Sequence, residues 1–175
     1  MALTRLGPNQ SINLASNVTG TLPAGNGGTG TTSYTPGKIL QVQSFDTTTS
    51  ISTTSTSFGA TILTDQITPS ATSSKILITV NGGRSSYGSG SSEGVQSLYV
   101  SVGGGSYSEV VSMMEGHRNG GTDGYGKPSA SFGYLHSPST TSTLDYKVYI
   151  KVNANQYYFN SGNARLTMTL MEIGA

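Results

Sequence analysis

Residues 144–152 read Leu-Asp-Tyr-Lys-Val-Tyr-Ile-Lys-Val, which is the clearest secondary-structure signal in the chain. Every second residue from Leu144 to Val152 is apolar or aromatic, whereas the intervening residues are Asp145, Lys147, Tyr149 and Lys151. Alternation with a period of two is typical of an antiparallel strand that has one buried and one solvated face. The pattern therefore predicts a half-buried strand over 144–152.

Similar alternation recurs from residue 38 to the end of the chain. Ile76, Ile78 and Val80 share one face of a strand over 75–81, and Leu166, Met168 and Leu170 share one face of a strand over 164–173. The other predicted strands lie at 38–45, 47–58, 60–67, 98–102, 107–115 and 130–136. About eight or nine strands joined by Gly/Pro-rich turns predict an all-β antiparallel β-sandwich or jelly roll.

The composition limits the classes of function. Charged residues make up 10% of the chain and the net charge is +1, against roughly 25% charged residues in an average globular protein. So few charges give little attraction for nucleic acid or an anionic membrane surface, and no apolar run approaches the roughly 18 residues of a membrane span. We therefore expect neither nucleic-acid binding nor membrane insertion. With no cysteine, a disulfide scaffold and a cysteine-ligated zinc site are excluded. The hydrophobic content of 34% predicts a small core supplemented by contacts between subunits.

Three segments follow from the change in pattern along the chain: 1–19, 20–37 and 38–175. Residues 20–37 are rich in Gly and Thr and have no helical period, which predicts a linker. Residues 38–175 form the predicted β head. The first segment lacks the apolar core of a secretion signal, and a frayed terminus is one interpretation of it. We favour an extended segment that becomes ordered by docking on another surface through its five apolar residues: Leu3, Leu6, Ile12, Leu14 and Val18.

Four stretches carry a resemblance to a family. Residues 20–30 read GTLPAGNGGTG, 67–78 read ITPSATSSKILI, 135–148 read LHSPSTTSTLDYKV, and 170–173 read LMEI. They resemble linkers and C-terminal domains of bacteriophage tail-fibre-like and virion-surface structural proteins of the marine or cyanophage type. The resemblance implies a phage structural protein with a β head. It covers roughly residues 20–175 and implies no particular receptor.

Catalytic and metal-binding interpretations are weaker. Residues 25–30 match G-x-G-x-x-G, but no strand precedes them and no helix follows, so we do not expect a dinucleotide site. A serine hydrolase would need His117 or His136 beside an activated serine, but the sequence has no G-x-S-x-G nucleophile elbow. Glu115, His117 and Asp123 could meet around a metal, but an ordinary solvated loop is the simpler interpretation. We expect no cofactor, no metal and no enzymatic activity.

Glycine-rich stretches at 82–94 and 116–127 are predicted loops, and binding residues often lie on loops over a rigid scaffold. A plain connector is the alternative interpretation. The candidate surface-contact residues are Tyr87, His117, Arg118, Asp123, Tyr125 and Lys127. Because neighbouring residues of a strand face opposite ways, the aromatic triplet Tyr157, Tyr158 and Phe159 must point at least one ring away from the core unless another subunit covers it. We interpret the triplet as a candidate interface of a homo-oligomer, and we expect a trimer.

Together these observations predict a short trimeric tail-fibre-like protein. It would dock on the particle through its N-terminus, contact other virion proteins there, and expose its head to a host surface glycan or protein. The alternative is a capsid decoration or head-fibre protein, and a surface-glycan depolymerase is a remote third. We expect the protein at the virion surface, on tail or capsid, after synthesis in the host cytoplasm.

Overall fold

The computed structural model of the chain describes residues 38–59, 61–87, 92–118 and 129–174. They lie within the compact unit Gly37–Ala175. Their eleven strands are β1 (Ile39–Thr47), β2 (Ile51–Thr53), β3 (Thr64–Ile67), β4 (Lys75–Gly82), β5 (Ser86–Tyr87), β6 (Ser92–Val102), β7 (Ser108–Arg118), β8 (Ala130–His136), β9 (Leu144–Val152), β10 (Tyr157–Phe159) and β11 (Leu166–Ile173). No helix among the described residues is long and apolar enough to cross a bilayer.

Two four-stranded sheets form the body of the fold. The first sheet has the order β1-β11-β4-β8, the second has the order β3-β9-β6-β7, and every neighbouring pair is antiparallel. Counted along the chain without the small sheet β2-β10-β5, these eight strands run first-eighth-third-sixth and second-seventh-fourth-fifth. This order is that of a double Greek-key jelly roll. The predicted all-β sandwich is therefore confirmed.

The core lies between the two sheets. The alternate residues of β9 from Leu144 to Val152 are completely buried, and the residues between them are partly exposed. The inward faces of β4 and β11 meet them from the first sheet, with Ile76, Ile78 and Leu170 also completely buried. The hydrophobic effect acting on these alternating side chains fixes which face of each strand points inward.

The two ends of the sandwich differ. At one end, which we call the entry end, the chain enters at Lys38, whose carbonyl accepts a hydrogen bond of 2.8 Å from the backbone N–H of Gly174. The connections 68–74, 103–107 and 137–143 also lie there. At the opposite end, which we call the far end, strands β2, β10 and β5 form the small sheet. β7 ends and β8 begins at the far end as well.

Several predicted boundaries were wrong. The predicted loop 82–94 contains β5 and the start of β6, because Gly94 pairs with both Val152 and Gly116. The predicted loop at 116–127 begins later, since β7 continues to Arg118. Within the predicted edge strand 47–58, Thr47 is the last residue of β1, and only Ile51–Thr53 forms a further strand. In each case, pairing with a distant strand decides the boundary, and local composition does not reveal it.

Candidate functional site

The far end holds the predicted contact residues that the structure describes. Tyr87 lies on β5, where it pairs with Tyr157. His117 and Arg118 lie at the end of β7, opposite Glu93 and Ser92 of β6. The topology thus places three of the six predicted positions at the same end of the sandwich. The other three, Asp123, Tyr125 and Lys127, lie outside the described residues.

A buried hydrogen-bond cluster connects the strands that meet at the far end. The phenol oxygen of Tyr157 accepts a hydrogen bond of 2.6 Å from Nε2 of Gln96, and it shares one of 2.7 Å with the hydroxyl of Ser85. All three side chains are completely buried. Burial raises the pKa of Tyr157, and the bonds to Ser85 and Gln96 offset part of that rise. The cluster thus connects β6, β10 and the residue before β5 through side-chain hydrogen bonds.

The aromatic triplet is divided between the core and the surface. Tyr157 and Phe159 are completely buried within the chain, so they are core residues. Tyr158 is partly exposed and donates a hydrogen bond of 2.7 Å to Oε1 of Gln156. The prediction of a subunit interface at the triplet therefore narrows to Tyr158, because the two other rings are already covered by their own subunit.

The outer face of the second sheet carries an aromatic stripe that the sequence analysis missed. The ring centroids of Phe58 and Tyr99 are 5.6 Å apart, those of Tyr99 and Tyr149 are 4.8 Å apart, and those of Tyr149 and Tyr107 are 5.7 Å apart. The ammonium groups of Lys147 and Lys151 lie over the end rings of the stripe, those of Tyr107 and Phe58, at 4.4 and 4.7 Å from the centroids. Such cation–π contacts stabilise a surface modestly.

Asp145 anchors one end of this stripe. It accepts hydrogen bonds from the hydroxyl of Tyr107 at 2.5 Å and from that of Thr64 at 2.9 Å. Burial alone would raise the pKa of Asp145, but these bonds and the nearby Lys147 ammonium outweigh it and lower the pKa. The sequence indicated only one part of this stripe, namely the alternation of Lys147, Tyr149 and Lys151 on the outer face of β9. The other rings come from distant parts of the chain.

Glu172 forms a second polar site near the entry end. This completely buried carboxylate accepts hydrogen bonds from the backbone N–H of Ser70 at 2.7 Å, from its hydroxyl at 2.6 Å, and from Nε2 of Gln41 at 2.7 Å. Burial by itself raises the pKa of Glu172, but these donors outweigh it and hold the pKa at about 2. The carboxylate thus ties β1 and the 68–74 connection to β11.

No group of three or more His, Asp or Glu side chains that could hold a metal ion occurs among the described residues. The metal site considered at Glu115, His117 and Asp123 involves side chains outside that description.

The strand order defines the class of this protein as a double-sheet jelly roll, an architecture of viral capsid and lectin domains and of cupins. No protein-family model and no curated protein matches the chain.

Among solved structures, the chain is similar to the VP2 subviral particle of infectious bursal disease virus, with a TM-score of 0.41, 15% identity, and coverage of 75% of this chain and 33% of that chain. It is also similar to the Gx strain structure of the same virus, with a TM-score of 0.39, 12% identity, and coverage of 78% and 37%. The chain thus spans about a third of the length of these neighbours.

Proposed function

We propose that the chain is a structural protein of a bacteriophage virion, with a jelly-roll head that is exposed for attachment to the host surface. In this proposal the N-terminal segment docks on the particle. Copies of the head associate, and the sequence predicts that they do so as a trimer. The role is structural rather than catalytic.

The observation that carries the proposal is the separation between the entry of the chain and the predicted contact residues. Lys38 lies at the entry end, beside Gly174. Tyr87, His117 and Arg118 lie at the far end, on β5 and the last residues of β7. A head that is tethered at one end and free at the other presents its far end outward. The linker composition and the resemblance to virion-surface proteins support the same role.

A capsid decoration protein is the second candidate. The jelly-roll strand order favours it, because this architecture recurs in viral capsid domains. A fold alone does not determine a function, so the location on the particle must decide between tail and capsid.

Binding of the labelled full chain to host cells tests the attachment role. Replacing Arg118 by Ala removes a cation at the far end, and the matched variant Lys38→Ala removes an exposed cation at the entry end. We expect Arg118→Ala, alone or with Tyr125→Ala, to weaken binding while Lys38→Ala binds like the unchanged chain. Equal binding by all variants would contradict attachment through the far end.

A further inference from the structure

Part of the outer face of the first sheet is apolar, whereas a solvated sheet face is ordinarily polar. The strand register aligns four side chains directly across all four strands: Val42, Met171, Leu77 and Leu135. Toward the entry end, Ile39 lies opposite Ile173. We call these six residues the apolar surface. Ile39, Val42 and Leu135 are 60%, 51% and 47% exposed, and the others are partly exposed.

No charge interrupts the apolar surface on its far-end side. The next row across the same face reads Ser44, Thr169, Thr79 and Gly133, and none of these residues is charged. The nearest described charges on this outer face are Lys75, beside Ile173, and Asp46, beyond the Ser/Thr row. The second sheet is different, because its outer face carries Asp145 and Lys147. Contiguous exposed apolar patches mark interaction sites.

We infer that the apolar surface is the contact through which a second copy of this chain packs against the head. Identical faces that pack on one another form a two-fold pair, so this contact departs from the trimer that the sequence predicts. The inference rests on the proposed function in one respect, namely that copies of the head assemble. The inferred contact is separate from the aromatic triplet, of which only Tyr158 is partly exposed. Tyr157 and Phe159 are buried inside their own subunit, whereas the apolar surface has no covering element among the described residues.

Charge favours a copy of the same chain as the occupant. Sheets that pack face to face interdigitate the side chains of their facing surfaces, and unpaired charges brought into such a contact are costly. Only 10% of the residues of this chain are charged, so a copy can present an uncharged face. When identical subunits meet through the same face, a charge near the centre would approach its own copy, and this face has none at its apolar row.

The size of the face is sufficient. Four strands about 4.8 Å apart and about seven residues long give the face roughly 450 Å² in projection. Side chains make the accessible area larger than the projected area, so two such faces bury on the order of 1,000 Å². That area is about what a specific interface requires.

Sedimentation of the full chain with matched variants tests the inference. Val42→Asp places a charge on the apolar surface, and Val102→Asp places the same charge on an equally exposed valine at the end of β6, away from that surface. We expect the unchanged chain and Val102→Asp to sediment as the same oligomer. We expect Val42→Asp to weaken the association by about tenfold or more while its melting curve stays cooperative.

Leu135→Asp, at the opposite edge of the sheet, is the second variant, should Val42→Asp fail to fold. Because the chain has no cysteine, Val42→Cys or Leu135→Cys also gives a clean cross-linking readout, with Val102→Cys as the control. A chain that is monomeric at all concentrations, or an oligomer that both aspartates on the surface leave intact, would overturn the inference. Either result leaves the virion role open, because location on the particle is measured separately.

Discussion

The side-chain amide of Gln41 donates a hydrogen bond of 2.7 Å to the carboxylate of Glu172 and another of 2.6 Å to the backbone carbonyl of Thr68. One side chain of the edge strand β1 thus contacts both β11 and the connection that follows β3. Hydrogen-bond donors around a buried carboxylate favour its charged form, because protonation weakens the bonds that it accepts.

We predict that Glu172 makes the head sensitive to acid. Its pKa is about 2 in the folded protein against an ordinary value of 4.5, so its stabilising contribution is complete above pH 4.5. That contribution is lost as the pH falls from 4.5 towards 2, because the unfolded chain binds the proton first. Glu172→Gln turns an amide toward the donors and should cost about 1–3 kcal/mol at neutral pH.

Denaturant titrations of both proteins between pH 2 and pH 7 measure this effect. The loss of stability below pH 4.5 should shrink in Glu172→Gln. An unchanged pH profile in this variant would show that other carboxyl groups cause the acid sensitivity.

We predict that His136 causes a second, separate pH dependence of stability. Its Nδ1 lies 2.7 Å from the hydroxyl of the completely buried Tyr146, and burial lowers the pKa of His136 from its ordinary 6.5. Because the folded pKa is the lower one, stability is complete above pH 6.5 and falls as the pH drops below 6.5. His136→Gln keeps a hydrogen-bonding side chain without titrating, so thermal melts of this variant should lose the dependence between pH 5 and pH 7. An identical slope in both proteins would exclude His136 as its source.

Gly94 is predicted to tolerate no side chain. A Cβ at this position would overlap the ring of Tyr157, which is completely buried and hydrogen-bonded. Gly94→Ala must displace that ring or the backbone of β6, and we expect a loss of about 1–3 kcal/mol. Gly133→Ala is the matched control, because nothing lies within 4 Å of a Cβ there. Similar melting temperatures for the two variants would contradict the packing at Gly94.

Val148→Asp should prevent folding. Val148 is completely buried at the centre of β9, and an unpaired charge there costs several kcal/mol. Lys151→Asp, on the outer face of the same strand, should fold and melt cooperatively. Circular dichroism of both variants measures the contrast, and a folded Val148→Asp would show that the faces of β9 are reversed.

Deletion of residues 1–19 tests the docking role of the N-terminal segment. We expect the shortened chain to retain the melting transition of the head and to be absent from assembled particles, since the apolar residues of that segment would make the contact. Immunoblots of purified particles measure the incorporation. Incorporation at the level of the full chain would contradict docking through this segment.

The sequence predicted β9 and β8 with their observed bounds because their alternation and flanking turns are local signals. It did not predict β5, whose two residues form a strand only by pairing with Tyr157 and Tyr158 of β10. The strand order was likewise not predictable, because several sandwich topologies share the same alternation. The aromatic stripe joins Phe58 to Tyr99 and Tyr149, and residues so far apart in the chain meet only through the sheet register.

The apolar surface could not be predicted from the sequence for a related reason. The alternation in β1 places Val42 on one face of the strand and Gln41 and Gln43 on the other, but it does not show which face points to the core. Register with β11 places Gln41 opposite the buried Glu172 and Val42 opposite the outward Met171. Gln41 and Gln43 therefore point inward at this edge of the sandwich, whereas Val42 points outward.

A cryo-electron-microscopy reconstruction of the intact particle, with this chain located in it, would decide whether the protein is a structural part of the virion. We expect jelly-roll density on the particle surface, with the entry end of each head toward the particle and the far end toward solvent. Density at the tail would support host attachment, and regular density over the capsid would support the decoration role. Absence of the chain from the particle would contradict the claim that it is a virion structural protein.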